Sequence, residues 1–252
     1  MTRRRALISV AVTALVALAV AACGGSGGTP ELKVSAAASL KKAFTQYGQS
    51  FGHVTFSFAG SDQLAAQIRA GARPGVFASA NTKLPASLYA SGLVDKPVPF
   101  ATNQLVLAVP ANSSKVTSIA DLTKPGVTIA VGDSTVPVGV YTATVLGRVA
   151  PSEARAIKHN IRSQEPSVDG IVGKLTTGAV DAGFLYITDV KAAGGSVKAI
   201  PLPASLQPTV VYGVAVVKGS GQESRARQFI SGLLSGSGRA ALAAAGFGPP
   251  PS

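Results

Sequence analysis

Four turns in this sequence carry the residue types needed to hold a small anion without a charged partner. Ala36-Ala37-Ala38-Ser39-Leu40 leaves a β-rich run and enters a helical pattern, which puts Ser39 at the helix N-cap; Phe58-Ala59-Gly60-Ser61-Asp62 does the same with Ser61. Val136-Pro137-Val138-Gly139-Val140 and Pro166-Ser167-Val168-Asp169 open two further helices, where Val138 and Val168 contribute only a main-chain N–H. The first turn of a helix leaves its N–H groups without intrahelical acceptors and carries roughly half a positive charge. Serine hydroxyls add donors, and the phenol of Tyr186, at the end of the run Ala182–Ile187, adds another. A hydrogen bond with one charged partner contributes about 1.5–3 kcal/mol, so several convergent ones offset the dehydration of a small dianion. Taken alone, a serine before a helix is a cap more often than a ligand. The convergence of four helix starts and one tyrosine favours a site.

The elements that must position these residues alternate regularly. Leu32–Ala36, Val54–Phe58 and Val76–Ala80 read as strands, separated by helices at Ser39–Phe51 and Ser61–Ala70, which is a βαβαβ pattern and implies a parallel sheet. After a strand at Gln104–Val109, a second α/β run follows. It comprises strands at Val127–Val131, near Ile157–Ile161 and at Ala182–Ile187, with helices near Val138–Val149 and at Val168–Thr177. A strand at Val210–Val217 and helices at Gln222–Leu234 and Ser237–Ala245 are too few for a third domain, so the C-terminal segment returns to the first lobe; Gly248–Ser252 reads as frayed. The expected fold is α/β with two lobes, each a mainly parallel sheet flanked by helices. Residues 32–103 with 206–252 form lobe 1 and residues 104–205 form lobe 2, the strands near 104–109 and 210–217 passing between them. A cleft between such lobes, beyond the carboxyl ends of the strands, is the default ligand site.

Composition narrows the partner. The chain has 252 residues, 46% hydrophobic and 13% charged, with 23 Lys and Arg against 11 Asp and Glu, a net charge of +12. Such a balance favours an anionic partner, yet the basic residues are scattered singly, which argues against nucleic acid. Their tight cluster, Arg3–Arg5, precedes the uncharged apolar run Ala6–Ala22 and so belongs to an export signal spanning 1–22. Val20-Ala21-Ala22-Cys23 resembles a bacterial lipobox, which implies cleavage before Cys23, acylation of that cysteine, and a flexible glycine-rich tether through residue 31. Without its three signal arginines the processed chain carries +9. One cysteine excludes a disulfide framework, and His53 and His159 leave little for a metal centre. Gly-x-Ser-x-Gly occurs in the glycine-rich tether, Gly24–Gly28, and at the end of the first helical pattern, Gly48–Gly52, both outside the strand-to-helix turn that a nucleophile needs; no Gly-Lys-Ser/Thr motif is present, so the chain reads as a binder, not an enzyme.

The same loops carry a family resemblance. Val34-Ser35-Ala36-Ala37-Ala38-Ser39-Leu40, Phe58-Ala59-Gly60-Ser61, Val76-Phe77-Ala78-Ser79-Ala80, Val136-Pro137-Val138-Gly139 and Asp181-Ala182-Gly183-Phe184-Leu185-Tyr186, in this order, resemble the periplasmic molybdate-binding proteins of ABC transporters over about residues 32–248. The resemblance implies a two-lobed periplasmic-binding-protein fold of type II that captures molybdate or tungstate and delivers it to a membrane permease. It implies Ser39 and Ser61 as hydroxyl and N–H donors and Tyr186 as a hydroxyl donor, with Val138 and Val168 as main-chain donors. Molybdenum would then enter only within the oxyanion, without protein ligands or any cofactor. The expected protein is a lipid-anchored monomer in the cell envelope; the alternative is the same fold binding sulfate, phosphate or another oxyanion. Asp62, Gly75, Asn81 and Val138 depart from the residues usual in that family, and these departures bear on selectivity.

Overall fold

The computed structural model describes residues 31–251. The export segment 1–22, Cys23 and the tether up to residue 30 lie outside the described residues, as does Ser252.

In chain order the first lobe begins with β1 (Leu32–Ala37), α1 (Lys41–Phe51), β2 (Val54–Ala59), α2 (Ser61–Arg69), β3 (Val76–Ser79), α3 (Lys83–Ala90) and β4 (Val98–Asn103). The second lobe follows with β5 (Leu105–Pro110), β6 (Ile129–Gly132), α4 (Pro137–Leu146), α5 (Pro151–His159), β7 (Ile161–Glu165), α6 (Val168–Thr176), β8 (Ala182–Tyr186), α7 (Ile187–Ala192) and β9 (Val197–Pro201). The chain then returns with β10 (Val210–Val216), α8 (Glu223–Ser235) and α9 (Ser237–Ala245).

Two five-stranded sheets result, ordered β2-β1-β3-β10-β4 and β7-β6-β8-β5-β9. Each has a parallel trio, β2-β1-β3 or β7-β6-β8, followed by one reversed strand, β10 or β5, and then by an edge strand, β4 or β9, that is antiparallel to the reversed strand and so runs the same way as the trio. Four of the five strands in each sheet thus share one direction, in line with the mainly parallel sheets expected, and the edge strands β4 and β9 are additions that the alternating pattern does not reveal. Val98-Pro99-Phe100 contains a proline, which a strand tolerates at a sheet edge, and β4 occupies such an edge. The central strands β1 and β8 are apolar nearly throughout and almost wholly buried, as covered sheets require, whereas edge strand β2 alternates between half-buried and exposed residues along most of its length.

The segment near Ile157–Ile161, expected as a strand, is instead helix α5 up to His159, and the strand starts at Ile161. Pro151 at the first helical position and the helix formers of Ser152–Arg155 outweigh the β-branched residues that follow. The tail is also held: Gly248 pairs with Thr102, and Thr102 Oγ1 donates to the Pro249 carbonyl at 2.9 Å.

The returning segment is fixed to lobe 1 by aromatic packing. Phe229 of α8 lies 4.6 Å from the ring of Tyr47, 5.4 Å from Phe44 and 5.2 Å from Phe51, all on α1. Such pairs contribute about 0.5–1.5 kcal/mol each beyond the area they bury. The chain passes between sheets twice, at Gln104 and through residues 202–209.

Both sheets repeat one local order: the first strand of the parallel trio lies centrally, the second at the edge, the third on its other side. In such sheets the crevice opens beyond the carboxyl ends of the strands. The ends of β1, β2 and β3 face those of β6, β7 and β8 across one interface, and the candidate residues sit there.

Candidate functional site

Ser39, Ser61, Val138, Val168 and Tyr186 all line one hollow between the lobes, together with main-chain and alanine surface from Ala37, Ala59, Gly60, Ala80, Val136 and Ser167. No charged side chain is among the lining residues. About 20 Å³ is open to the centre of a water molecule. Adding the ~1.4 Å water radius gives a sphere of roughly 3 Å radius. That is the size class of one tetrahedral oxyanion.

Each donor is positioned by local structure. Ser39 does not cap α1 as the pattern suggested. It lies inside a 3-10 turn, Ala38–Leu40, whose cap is Ala37, and its Oγ is 2.8 Å from the Tyr212 hydroxyl. Ser61 is likewise not the cap: Gly60 is, and Ser61 is the first residue of α2. Its Oγ accepts the Ala80 N–H at 3.1 Å, which leaves the hydroxyl proton for another acceptor. Val138 is second in α4, behind Pro137, and Val168 is first in α6 after Ser167. At these positions the N–H groups have no intrahelical acceptor. Three helices of nine or ten residues thus point their N-terminal ends at the hollow, each worth roughly half a positive charge.

Tyr186 closes the site from the end of β8. Its residue is 1% exposed, and its hydroxyl has no hydrogen-bond partner among the described residues. Burial, and after it the neighbouring Tyr212, Tyr141 and Asp189, push this phenol well above its usual range, so it keeps its proton. A buried hydroxyl without a partner costs about 1–3 kcal/mol. Its main chain is tied down: Asp189 Oδ2 accepts the Tyr186 N–H at 3.0 Å. Asp189 is itself buried, and burial, opposed by that N–H, raises its carboxyl to about 8.

The departures noted in the sequence have structural explanations. Asp62 is not among the residues lining the hollow; its Oδ2 accepts the Thr135 hydroxyl at 2.7 Å, which links α2 to the loop before α4 across the lobes. Asn81 turns its Oδ1 to the Leu84 N–H at 3.0 Å and serves the start of α3. Gly75 is crowded, since a Cβ there would lie 2.5 Å from Leu32 Cδ1. Val138 fits because its neighbour is Gly132, where a Cβ would meet Val138 Cγ1 at 2.5 Å.

Sequence reasoning missed Tyr212, Asn103, Gly60 and Thr135. Tyr212 and Asn103 lie inside strands with nothing in their spacing to separate them from core residues. Gly60 has φ −59° and ψ 136°, which any residue adopts; its role is close approach to the Pro166 carbonyl of the other lobe. Among the described residues no cluster of three His, Cys, Asp or Glu side chains could hold a metal, and no helix is long and apolar enough to cross a membrane.

Comparison with known proteins bears on the chain as a whole. Residues 32–248 match the family model described as bacterial extracellular solute-binding protein. A protein of Mycobacterium tuberculosis named molybdate-binding protein ModA is 36% identical over 95% of this chain and 96% of its own length. One of the same name from Haemophilus influenzae is 30% identical over 92% of this chain and 95% of its own length. The solved periplasmic molybdate-binding protein of Azotobacter vinelandii superposes with a TM-score of 0.77 at 25% identity, covering 88% of this chain and 100% of that one.

Proposed function

This chain belongs to the bacterial extracellular solute-binding protein family, and from that premise we propose that its hollow captures molybdate or tungstate and that the chain hands the ion to an ABC permease. The observation that carries this reading is the neutral hollow itself. Donors from the ends of β1, β2, β6, β7 and β8 surround a space of one-oxyanion size, and one of them, the Tyr186 hydroxyl, is buried with no partner among the described residues. Two relatives at 30% identity or more carry the name molybdate-binding protein.

Ser39, Ser61 and Tyr186 donate through their hydroxyls, Val138 and Val168 through the main chain. The metal atom is enclosed cargo, held through its oxygens, and no cofactor takes part. Molybdate and sulfate share charge and shape, so selection between them rests on size. In a close-packed wall a loose ligand loses contacts outright, and donors set for the larger ion cannot all reach a smaller one. The processed protein is a monomer held to the outer face of the membrane by acyl chains on Cys23.

Calorimetric titration of residues 23–252 with molybdate, tungstate and sulfate tests the reading. Molybdate and tungstate should bind at least about 100-fold more tightly than sulfate, a difference near 2.7 kcal/mol. Tighter binding of sulfate would transfer the function to that ion, and absence of binding by all three would overturn it.

A further inference from the structure

A chain of hydrogen bonds behind Ser39 has only one consistent direction. Asn103, at the end of β4, accepts the Gln104 N–H on its Oδ1 at 2.9 Å, which fixes the orientation of the amide. Its Nδ2 therefore faces the other way, 2.8 Å from Thr188 Oγ1 on α7 and 3.3 Å from the Tyr212 hydroxyl oxygen. An amide nitrogen has two protons and no lone pair for this purpose. Both protons are committed, and Tyr212 oxygen must accept one of them.

Tyr212 is fully buried on β10, with the rings of Phe247, Tyr186 and Phe100 around it at 5.3, 5.8 and 6.1 Å. Burial first, then the charge of Asp189, holds its phenol well above the usual range, so the proton stays on it. Its other hydrogen-bond partner among the described residues is Ser39 Oγ at 2.8 Å, and since the Asn103 amide nitrogen cannot accept, Ser39 is the acceptor left for the phenol proton. Tyr212 donates there, Ser39 accepts, and the Ser39 proton is left to point elsewhere. Ser39 lines the hollow.

We propose that Asn103 and Tyr212 are positioning residues that compel Ser39 to present its proton, and not its lone pairs, to the bound oxyanion. Each bond in the series Asn103 to Tyr212 to Ser39 polarises the next, which strengthens the last donor. The amide also bridges the lobes through Thr188 at the point where the chain first crosses between sheets, so the series is completed where the lobes meet. A Ser39 free to turn its lone pairs inward would repel an anion without protons and tolerate one that carries a proton.

The inference rests on the proposed oxyanion reading, and its test separates the two. Calorimetry with molybdate and with inorganic phosphate is run on the wild type, Ser39→Ala, Tyr212→Phe and the double variant, with melting curves for each. Tyr212→Phe should weaken molybdate binding about tenfold when Ser39 is present and by less than about twofold in the Ser39→Ala background. The ratio of molybdate to phosphate affinity should narrow by a similar factor in Tyr212→Phe. A purely structural tyrosine would weaken binding equally in both backgrounds and leave that ratio alone; either result overturns the relay. If the wild type binds no molybdate, the functional reading fails independently. Should Tyr212→Phe not fold, the same cycle with Asn103→Ala decides: non-additivity with Ser39→Ala supports the relay, and additive losses overturn it.

Discussion

Gly60→Ala separates the stability of this fold from its ability to close. The φ and ψ of Gly60, −59° and 136°, are open to alanine. Replacement removes freedom from the unfolded chain, worth about 0.4–1 kcal/mol, which offsets the poorer capping of α2 by alanine at this N-cap position, so the ligand-free stability should stay close to that of the wild type. Across the cleft the effect is one-sided. A Cβ on Gly60 would lie 2.8 Å from Asp62 Oδ1 and closer still to the Pro166 carbonyl oxygen of the other lobe. Restoring an ordinary carbon–oxygen separation of about 3.3 Å requires the lobes to part by roughly 1 Å at Pro166. Val168 is two residues from Pro166, and a hydrogen bond of about 2.9 Å stretched by that much is no longer one. Losing that single charged-partner bond costs about 1.5–3 kcal/mol. The expected result is molybdate affinity about 10- to 100-fold weaker, with a ligand-free melting temperature close to that of the wild type. Calorimetry and differential scanning fluorimetry read the two quantities on one sample. Unchanged affinity, or a large fall in ligand-free stability, would refute the argument that this glycine exists for cross-lobe approach.

Tyr186→Phe removes a buried hydroxyl that has no partner in the fold, so the ligand-free protein should melt no lower than the wild type while molybdate affinity falls about tenfold or more; a loss of stability without a loss of affinity would contradict it. Asp62→Asn keeps an acceptor for Thr135 and removes a charge from the first turn of α2, a turn that faces the hollow. Molybdate affinity should rise about two- to fivefold, and a fall on titration at low salt would count against the field of that helix as a contributor. Burial, and after it the charge of Asp169, raises Asp189 to about 8 against the opposing Tyr186 N–H, so the folded state keeps a proton that the unfolded state releases near pH 4. Stability should then decline as pH rises from about 4 to about 8, and Asp189→Asn should flatten that slope in denaturant titrations. An identical slope in the variant would show that this carboxyl does not govern it.

The strand-to-helix turns were legible because cap chemistry and periodicity change together there, at Ala38–Leu40, Gly60–Ser61, Val136–Val138 and Ser167–Val168. The two-lobe reading followed from two runs of alternating elements. What stayed hidden has identifiable causes. β4 and β9 are short edge strands with prolines at Pro99 and Pro201, and local composition treats these as loop. α7 is only six residues long and continues directly from β8, so no turn signal separates them. Around the hollow, Ser39, Ser61, Val138, Val168 and Tyr186 are brought together as the helix-start argument required, but the hydroxyls of Ser39 and Ser61 are not caps. One lies beside Tyr212 and the other accepts from Ala80. Those partners come from β10, 173 residues on, and from just past β3, 19 residues on, and no local pattern announces either pairing.

The placement of charge explains why a chain so rich in lysine and arginine binds an anion through neutral groups. Beside the hollow, and sharing Ala38 and Ser39 with it, runs a wider groove of about 560 Å³ walled by Lys41 and Lys42 on α1 and by Asp169 and Asp189 on the facing elements. Asp189 holds its proton up to about pH 8, so at neutral pH the groove presents two cations against one anion. Its field, added to that of the surface, raises the rate at which a dianion arrives. The contacts that hold the ion are different in kind. A lysine inside the hollow would face a dianion where solvent screening is weak, and that attraction persists as the lobes part. In the proposed site, hydrogen bonds from Ser39 and Ser61 on one side, and from Val138, Val168 and Tyr186 on the other, would fail within about 1 Å of separation. A site made of such donors holds firmly when closed and lets go when opened, which is what a carrier that must surrender its cargo requires.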